Sequence, residues 1–130
     1  MEDRYLFKAK HFKKWHIGNI VKEPDGLYIR DIKGNVMAYI DDESTICQCT
    51  GLKDKNGKLI WENDIVRDEH GIFYKAFWKN NYYQFSWICV KAGVFSVGTK
   101  WDLWRFKSFE IEVIGNVFDN PELLESEEKE

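Results

Sequence analysis

Residues 46–66 read ICQCTGLKDKNGKLIWENDIV and contain the clearest backbone signal in the chain. Within them, Asp54-Lys55-Asn56-Gly57 combines an Asp that can cap its own turn with an Asn-Gly pair that tolerates positive φ. Such a turn reverses the chain between antiparallel strands. The stretch therefore predicts a tight turn that is followed by a strand over Leu59–Val66.

Upstream of this turn, short apolar runs alternate with turn signals, as in an all-β domain. Glu23-Pro24-Asp25-Gly26 and Lys33-Gly34-Asn35 separate three such runs. We predict an antiparallel meander of three strands, which are Trp15–Val21, Leu27–Asp31 and Val36–Ile40.

Downstream, the apolar runs Ile72–Trp78 and Tyr82–Val90 flank Lys79-Asn80-Asn81, which predicts a hairpin with an aromatic core. Phe109–Ile114 alternates apolar and acidic residues, so it is predicted to be a strand with one wet face. The fold class predicted for the chain is therefore mainly β.

Only the carboxyl-terminal end has helical signals. Asn120 can cap a helix, Pro121 suits the first helical position, and Leu123 and Leu124 give a small apolar face. We expect an amino-terminal sheet lobe over residues 1–50, a second β lobe over 51–118, and a short helix with an acidic tail over 119–130. Together they are expected to form one structural unit.

Composition narrows the class of protein. The 130 residues are 44% apolar and 16% aromatic, which is too apolar for a disordered chain. The net charge of −3 is uneven, because residues 1–109 carry +4 and residues 110–130 carry −7. This distribution argues against a uniformly basic nucleic-acid binder. Three cysteines and the lack of an apolar run of about 18 residues predict a cytoplasmic protein without a membrane span.

Candidate metal ligands do not form a recognisable set. Asp54 and Asn56 superficially match a calcium loop, but the first and twelfth ligand positions would be Leu52 and Asn63. Cys47 and Cys49 are too close in sequence for a tetrahedral zinc pattern, and no second pair follows them. We therefore expect three free thiols, no metal and no cofactor.

One cluster has the residue types of a metal-dependent phosphodiesterase. It consists of acids and one histidine around a predicted strand and turn, namely Glu62, Asp64, Asp68, Glu69 and His70. The solvent-facing half of a strand gives the same pattern, and no nucleophile with a base accompanies it. Catalysis is the third of three alternatives, and the leading expectation is a protein without enzymatic activity.

Aromatic and basic residues are interleaved in two places, as in proteins that stack single-stranded bases. Half of these aromatics must point into a β core, so this nucleic-acid-binding module is the second alternative. The candidate residues are Lys75, Trp78, Lys79, Tyr82, Tyr83, Trp101, Trp104, Arg105 and Lys107.

Three segments together resemble the YopX family of bacteriophages and prophages. They are residues 46–66, Glu112–Leu124 (EVIGNVFDNPELL), and the start Tyr5-Leu6-Phe7-Lys8-Ala9-Lys10 with Lys14-Trp15. The resemblance implies a mostly β fold, with an amino-terminal sheet followed by a barrel-like part, and a tendency to form homo-oligomers. It implies no particular activity. Cys49 and Asn63 stand where relatives commonly have Tyr and Gly, and Asn63 still tolerates a left-handed backbone.

The leading functional expectation is a self-associating binding or accessory protein of a phage or prophage. Its partners would be further copies of itself and an unknown phage or host protein, with no membrane. Many large aromatics and several edge strands must be covered in so short a chain, which favours self-association. In the expected contact, an apolar pair near the carboxyl terminus packs on a neighbour and acids face a basic strand; the residues are Leu123, Leu124, Lys8, Lys10, Lys13 and Lys14.

Overall fold

A computed structural model describes residues 5–33, 36–79, 84–91 and 97–124. Within these residues the chain forms eleven β-strands and several single turns of 3₁₀ helix. All of the strand pairs are antiparallel, which confirms the predicted mainly β class. Contacts divide the chain into two compact units, Met1–Gly51 and Leu52–Glu130.

The first unit is built on one antiparallel sheet. Five strands of this sheet begin in the first unit, in the order β4-β3-β2-β1-β5, so the predicted meander is present as β2, β3 and β4. A small core of Ala9, Ile29, Ala38 and Ile40 packs on this sheet. The strands are β1 (Phe7–His11), β2 (Lys14–Glu23), β3 (Gly26–Asp31), β4 (Met37–Tyr39) and β5 (Cys47–Lys53), the last of which continues into the second unit.

The second unit contains a five-stranded sheet in the order β10-β9-β8-β7-β11. In the described residues this sheet has two edges, β10 and β11, and it does not close into a barrel. The barrel-like part implied by the resemblance is therefore an open sheet. Its strands are β7 (Asp64–Asp68), β8 (Phe73–Lys79), β9 (Gln84–Lys91), β10 (Lys100–Asp102) and β11 (Ile111–Asn116), and the short β6 (Leu59–Trp61) precedes them.

The predicted strand Leu59–Val66 is two strands, because a turn at Glu62-Asn63 separates β6 from β7. Asn63 has φ 72°, which confirms the left-handed backbone expected at this position. Its amide donates to the carbonyl of Ala76 at 2.7 Å, so the turn is also tied to β8. An apolar run on both sides of the turn concealed the break.

The core of the second unit is aromatic. Tyr74 and Trp87 are fully buried at its centre. The ring of Phe106 packs 4.8 Å from that of Tyr74 and 5.9 Å from that of Trp87, measured between centroids. Ile60 from the β5–β6 hairpin joins the same cluster. The hairpin aromatics thus supply much of this core, as predicted.

The carboxyl-terminal end is a single 3₁₀ turn at Pro121–Leu123, which is the form taken by the predicted short helix. The side chain of Asn120 does not cap this turn; its Oδ1 accepts a hydrogen bond from the amide of Asn116 at 3.2 Å. Parts of the predicted turns 33–35 and 79–81, together with the tail beyond residue 124, lie outside the described residues.

The predicted turn at 54–57 is present, and Gly57 has φ +79°. A Cβ at this position would meet no atom within 4 Å, so backbone strain alone decides the effect of a substitution. We expect Gly57→Val to lower the free energy of unfolding by at least about 1 kcal/mol, because a β-branched residue resists positive φ. Gly57→Asn, which tolerates this backbone, is the control. Equal urea midpoints for the two variants would contradict the explanation.

Candidate interaction surfaces

Asp54 is buried, and its carboxylate is occupied by main-chain amides. Oδ1 accepts from the amides of Asn56 and Lys58 at 2.9 Å each, and Oδ2 accepts from the amide of Val113 on β11, also at 2.9 Å. Burial by itself raises the pKa of Asp54, but the amides of Val113, Lys58 and Asn56 and the charge of Lys58 outweigh it. The pKa therefore lies below its ordinary value, and Asp54 is a structural anion.

Asp68 has the same role in the turn between β7 and β8. Its Oδ1 accepts from the amides of His70 at 2.9 Å and Ile72 at 3.0 Å, and its Oδ2 accepts from the hydroxyl of Tyr74 at 2.9 Å. Burial, followed by the hydrogen bond to Asp68, raises the pKa of Tyr74. Tyr74 therefore stays protonated and donates to this carboxylate.

The candidate catalytic cluster is divided between the interior and the surface. Asp64 is buried, and its Oδ2 accepts from the amide of Trp61 at 2.8 Å. Glu69 and His70 are exposed, and their side chains form only a long ion pair of 3.9 Å. Glu62 is half-buried in the turn before β7. Asp64 and Asp68 therefore accept hydrogen bonds from main-chain amides of their own turns, and Asp68 also accepts one from the hydroxyl of Tyr74.

The described residues contain neither a metal-binding cluster nor a membrane-spanning helix. Among the described residues, no group of three or more His, Cys, Asp or Glu side chains is arranged to hold a metal ion. Cys47, Cys49 and Cys89 are all buried and unbridged. In the same part of the chain, no helix has the length and apolar character needed to cross a membrane.

In the first aromatic-basic candidate surface, the two residues whose side chains the structure describes do not share a face. Lys75 and Trp78 belong to β8 and are three residues apart, so they point to opposite faces of the sheet. The ring of Trp78 packs edge-on to Phe85 at 5.0 Å between centroids. Tyr82, Tyr83 and the side chain of Lys79 lie outside the described residues.

The second aromatic-basic candidate lies after β10, and we call residues 103–109 the anchored segment. Three side chains hold it to the core: the segment's own Leu103 and Phe106, and Trp101 just before it. The indole Nε1 of Trp87 also donates to the carbonyl of Leu103 at 2.8 Å. Trp101 is thus partly buried against the core.

The outward side of the anchored segment is aromatic and basic. Trp104 is 82% exposed and Phe109 is 71% exposed, while Arg105 and Lys107 are exposed between them. Phe109 was predicted to begin a strand and to point inward. It lies instead in a 3₁₀ turn, Ser108–Glu110, and β11 begins at Ile111. The predicted start of this strand at Phe109 was therefore wrong. Phe109 fits the alternation of apolar and acidic residues in the sequence of β11, but its backbone lies before the strand.

A second exposed aromatic lies in the first unit, at the turn between β1 and β2. We call Phe12 and Lys13 the hairpin tip, since they form the two-residue turn between the paired His11 and Lys14. Their φ angles are 47° and 72°, and the side chain of Phe12 is 74% exposed. This turn backbone usually carries Asn-Gly, so no local sequence signal identified it.

The residues expected in self-association differ in how far they are exposed to solvent. Lys8 is buried, and its Nζ lies 4.5 Å from the ring centroid of Trp15, with Nζ of Lys10 at 5.1 Å. Lys13 and Lys14 are exposed. Leu123 and Leu124 are half-buried. A Cβ on Gly115 would lie 2.9 Å from Leu123 Cδ1, so Leu123 packs on its own chain.

A family model described as YopX protein matches residues 8–125, which is nearly the whole chain. The chain matches no curated protein.

Because the pKa of Asp54 is lowered, its contribution to the free energy of unfolding should depend on pH. We expect Asp54→Asn to cost about 2 to 3 kcal/mol near neutral pH, because one amide donor would face an amide group instead of a carboxylate oxygen. Since the folded pKa lies below the unfolded value of about 3.9, this contribution is complete above that pH and is lost as pH falls through the folded pKa.

Urea unfolding followed by tryptophan fluorescence, at a series of pH values from neutral downward, measures this difference. The gap between wild type and Asp54→Asn should narrow in acid. Glu69→Gln, which changes an exposed acid of the same unit, should leave stability nearly unchanged. A gap that is constant with pH would show that the charge of Asp54 is not what stabilises the turn.

Proposed function

The chain belongs to the YopX family, and from this membership and its exposed aromatic surfaces we propose that it is a self-associating binding or accessory protein. In this proposal it is encoded by a phage or prophage, acts in the cytoplasm of the bacterial host and has no enzymatic activity. The partners are further copies of the chain and a phage or host protein.

The strained hairpin tip is the observation that carries the proposal. A bulky residue at positive φ is uncommon, and a left-handed non-glycine residue costs of order 1 to 3 kcal/mol. Phe12 has this backbone while most of its ring is in contact with solvent. Burial within its own chain therefore does not offset the strain. Burial against a partner would do so, and backbone strain of this kind is concentrated at functional sites.

Contacts behind the tip hold it in place. The amide of Phe12 donates to Oδ1 of Asp41 at 3.1 Å. Nδ1 of His11 lies 2.8 Å from the carbonyl oxygen of Tyr39 and can donate to it. A tip that is ordered before binding loses less conformational entropy on association than a mobile loop does. These contacts support Phe12 as a preformed anchor.

Charge favours a second copy as the partner. Lys13 and Lys14 are exposed beside Phe12. Residues 110–130 of the same chain carry a net charge of −7. Two surfaces of opposite charge on one chain can recognise each other in two copies, and closed homo-oligomers use self-complementary surfaces of this kind.

The hydrogen bonds that Asp64 and Asp68 accept within the chain support a role without catalysis. A general base or a ligand of magnesium needs carboxylate oxygens that can reach a substrate or an ion. Oδ2 of Asp64 and Oδ1 of Asp68 accept hydrogen bonds from amides of their own turns, and Oδ2 of Asp68 accepts one from the hydroxyl of Tyr74 on β8. Three buried, unbridged thiols also suit a reducing compartment.

Phe12→Asn tests the proposal, because Asn tolerates the left-handed backbone and removes the ring. We expect wild type to be an oligomer at micromolar concentration by size exclusion with light scattering. The variant should shift toward monomer while its Tm stays equal or rises. Tyr5→Ala, which truncates an aromatic that is 77% exposed in the same unit, is the control and should remain oligomeric. A monomeric wild type would overturn the proposal.

Ending the chain after Leu124 tests the role of the acidic tail. This truncation removes Glu125–Glu130 and keeps the contacts of Asn120 with Asn116 and of Leu123 with Gly115. We expect weaker association and an unchanged Tm, because the attraction to Lys13 and Lys14 would be reduced. The same oligomer with and without the tail would remove the tail from the contact and leave the hairpin tip as the anchor.

A further inference from the structure

The anchored segment presents two large rings to solvent from a backbone that is held by the core. Inward-facing Leu103 and Phe106 pack on the aromatic cluster, and the hydrogen bond from Trp87 fixes the carbonyl of Leu103. The next turn is closed by the amide of Lys107, which donates to Oε1 of Glu110 at 2.7 Å. The outward positions of Trp104 and Phe109 therefore follow from a fixed backbone and not from a loose loop.

The charge of the anchored segment is positive. Its sequence, LWRFKSF, contains Arg105 and Lys107 and no acid. The acids on either side are engaged, since Asp102 accepts from Gln84 Nε2 at 3.0 Å and Glu110 accepts from the amide of Lys107. Within the part of the chain that the structure describes, neither Arg105 nor Lys107 has an acidic partner at salt-bridge distance. Both cations are available to an anion from outside.

The guanidinium of Arg105 is oriented by aromatic rings. Its central carbon lies 5.5 Å from the centroid of Trp101 and 5.7 Å from that of Phe106. Cation–π contacts of this kind restrain the guanidinium, whose five N–H donors can bind a phosphate. The segment thus combines exposed rings with an oriented cation.

We propose that the anchored segment is a binding site for single-stranded nucleic acid. Unpaired bases would stack on Trp104 and Phe109, and backbone phosphates would contact Arg105 and Lys107. Base stacking on aromatic side chains tolerates any sequence, because every base has a π-face. The chain has a net charge of −3, so its overall charge does not attract nucleic acid, and binding should be weak and sensitive to salt.

The chemistry of the segment favours a single strand over the alternatives. Protruding rings need unstacked bases, which a regular duplex does not offer. An acidic peptide would satisfy the two cations, but it would leave two planar rings without a planar partner. The backbone here is in 3₁₀ turns, Leu103–Arg105 and Ser108–Glu110, and offers no strand edge for a peptide to pair with.

Fluorescence anisotropy with a labelled oligothymidylate at low salt tests this proposal on the full-length protein. We expect saturable binding that Trp104→Ala and Phe109→Ala each weaken by roughly five- to a hundred-fold. With two phosphates neutralised, log affinity should fall against log salt with a slope of about −1.4. Lys107→Gln should reduce this slope, and the matched duplex should bind more weakly.

The controls separate this site from the hairpin tip. Tyr5→Ala should bind like wild type, and Phe12→Asn should retain binding per chain, because both changes lie in the first unit. Near-UV circular dichroism and Tm confirm that each variant is folded. A protein that does not self-associate would thus not contradict the nucleic-acid site. A protein that does not bind nucleic acid would not contradict the proposed oligomer.

Three results would overturn the proposal. They are an absence of oligothymidylate binding at low salt, binding that is unchanged in Trp104→Ala and Phe109→Ala, and a duplex that binds more tightly than the single strand. Binding of polyglutamate in place of oligothymidylate, lost in Trp104→Ala, would also overturn it and would assign the segment to an acidic protein partner.

Discussion

The second unit depends on the carboxylate of Asp54. It accepts two amides of its own turn and one amide of β11, and so it joins positions that are 59 residues apart in the chain. The amide of Lys55 adds a hydrogen bond to the carbonyl of Ile111 at 3.0 Å. These bonds fix both the hairpin that carries Ile60 into the core and the strand that borders β7. A buried anion is tolerated here because each of its oxygens has a donor.

Asp68 repeats this arrangement at the next turn and adds a side-chain donor. Its hydrogen bond with the hydroxyl of Tyr74 lets a large aromatic residue lie fully buried without an unsatisfied polar group. Tyr74 in turn contacts Trp101 and Phe106. The turn aspartates and the aromatic core are therefore one connected structure, and the anchored segment rests on it.

The two candidate surfaces differ in how their aromatic side chains are exposed. In the first unit, exposure of Phe12 accompanies an unfavourable backbone, and its neighbours Asp41 and Tyr39 hold that backbone. In the second unit, exposure of Trp104 needs no positive φ, because Leu103 before it and Phe106 two positions after it pack their side chains on the core. Backbone strain therefore identifies the hairpin tip as a candidate surface. The combination of positive charge and exposed rings identifies the anchored segment as the other.

By itself the sequence determined the β class, the turn at Asp54-Lys55-Asn56-Gly57, the meander of the first unit and the left-handed Asn63, because adjacent residues encode such backbone preferences. Only the tertiary structure decided that Trp101 packs against the core while Trp104 is exposed, that Asp68 is a buried acceptor, and that Phe109 precedes β11. It alone revealed the turn at Phe12, whose residue types do not predict positive φ. Burial and strain depend on contacts between segments far apart in the chain, which no local pattern records.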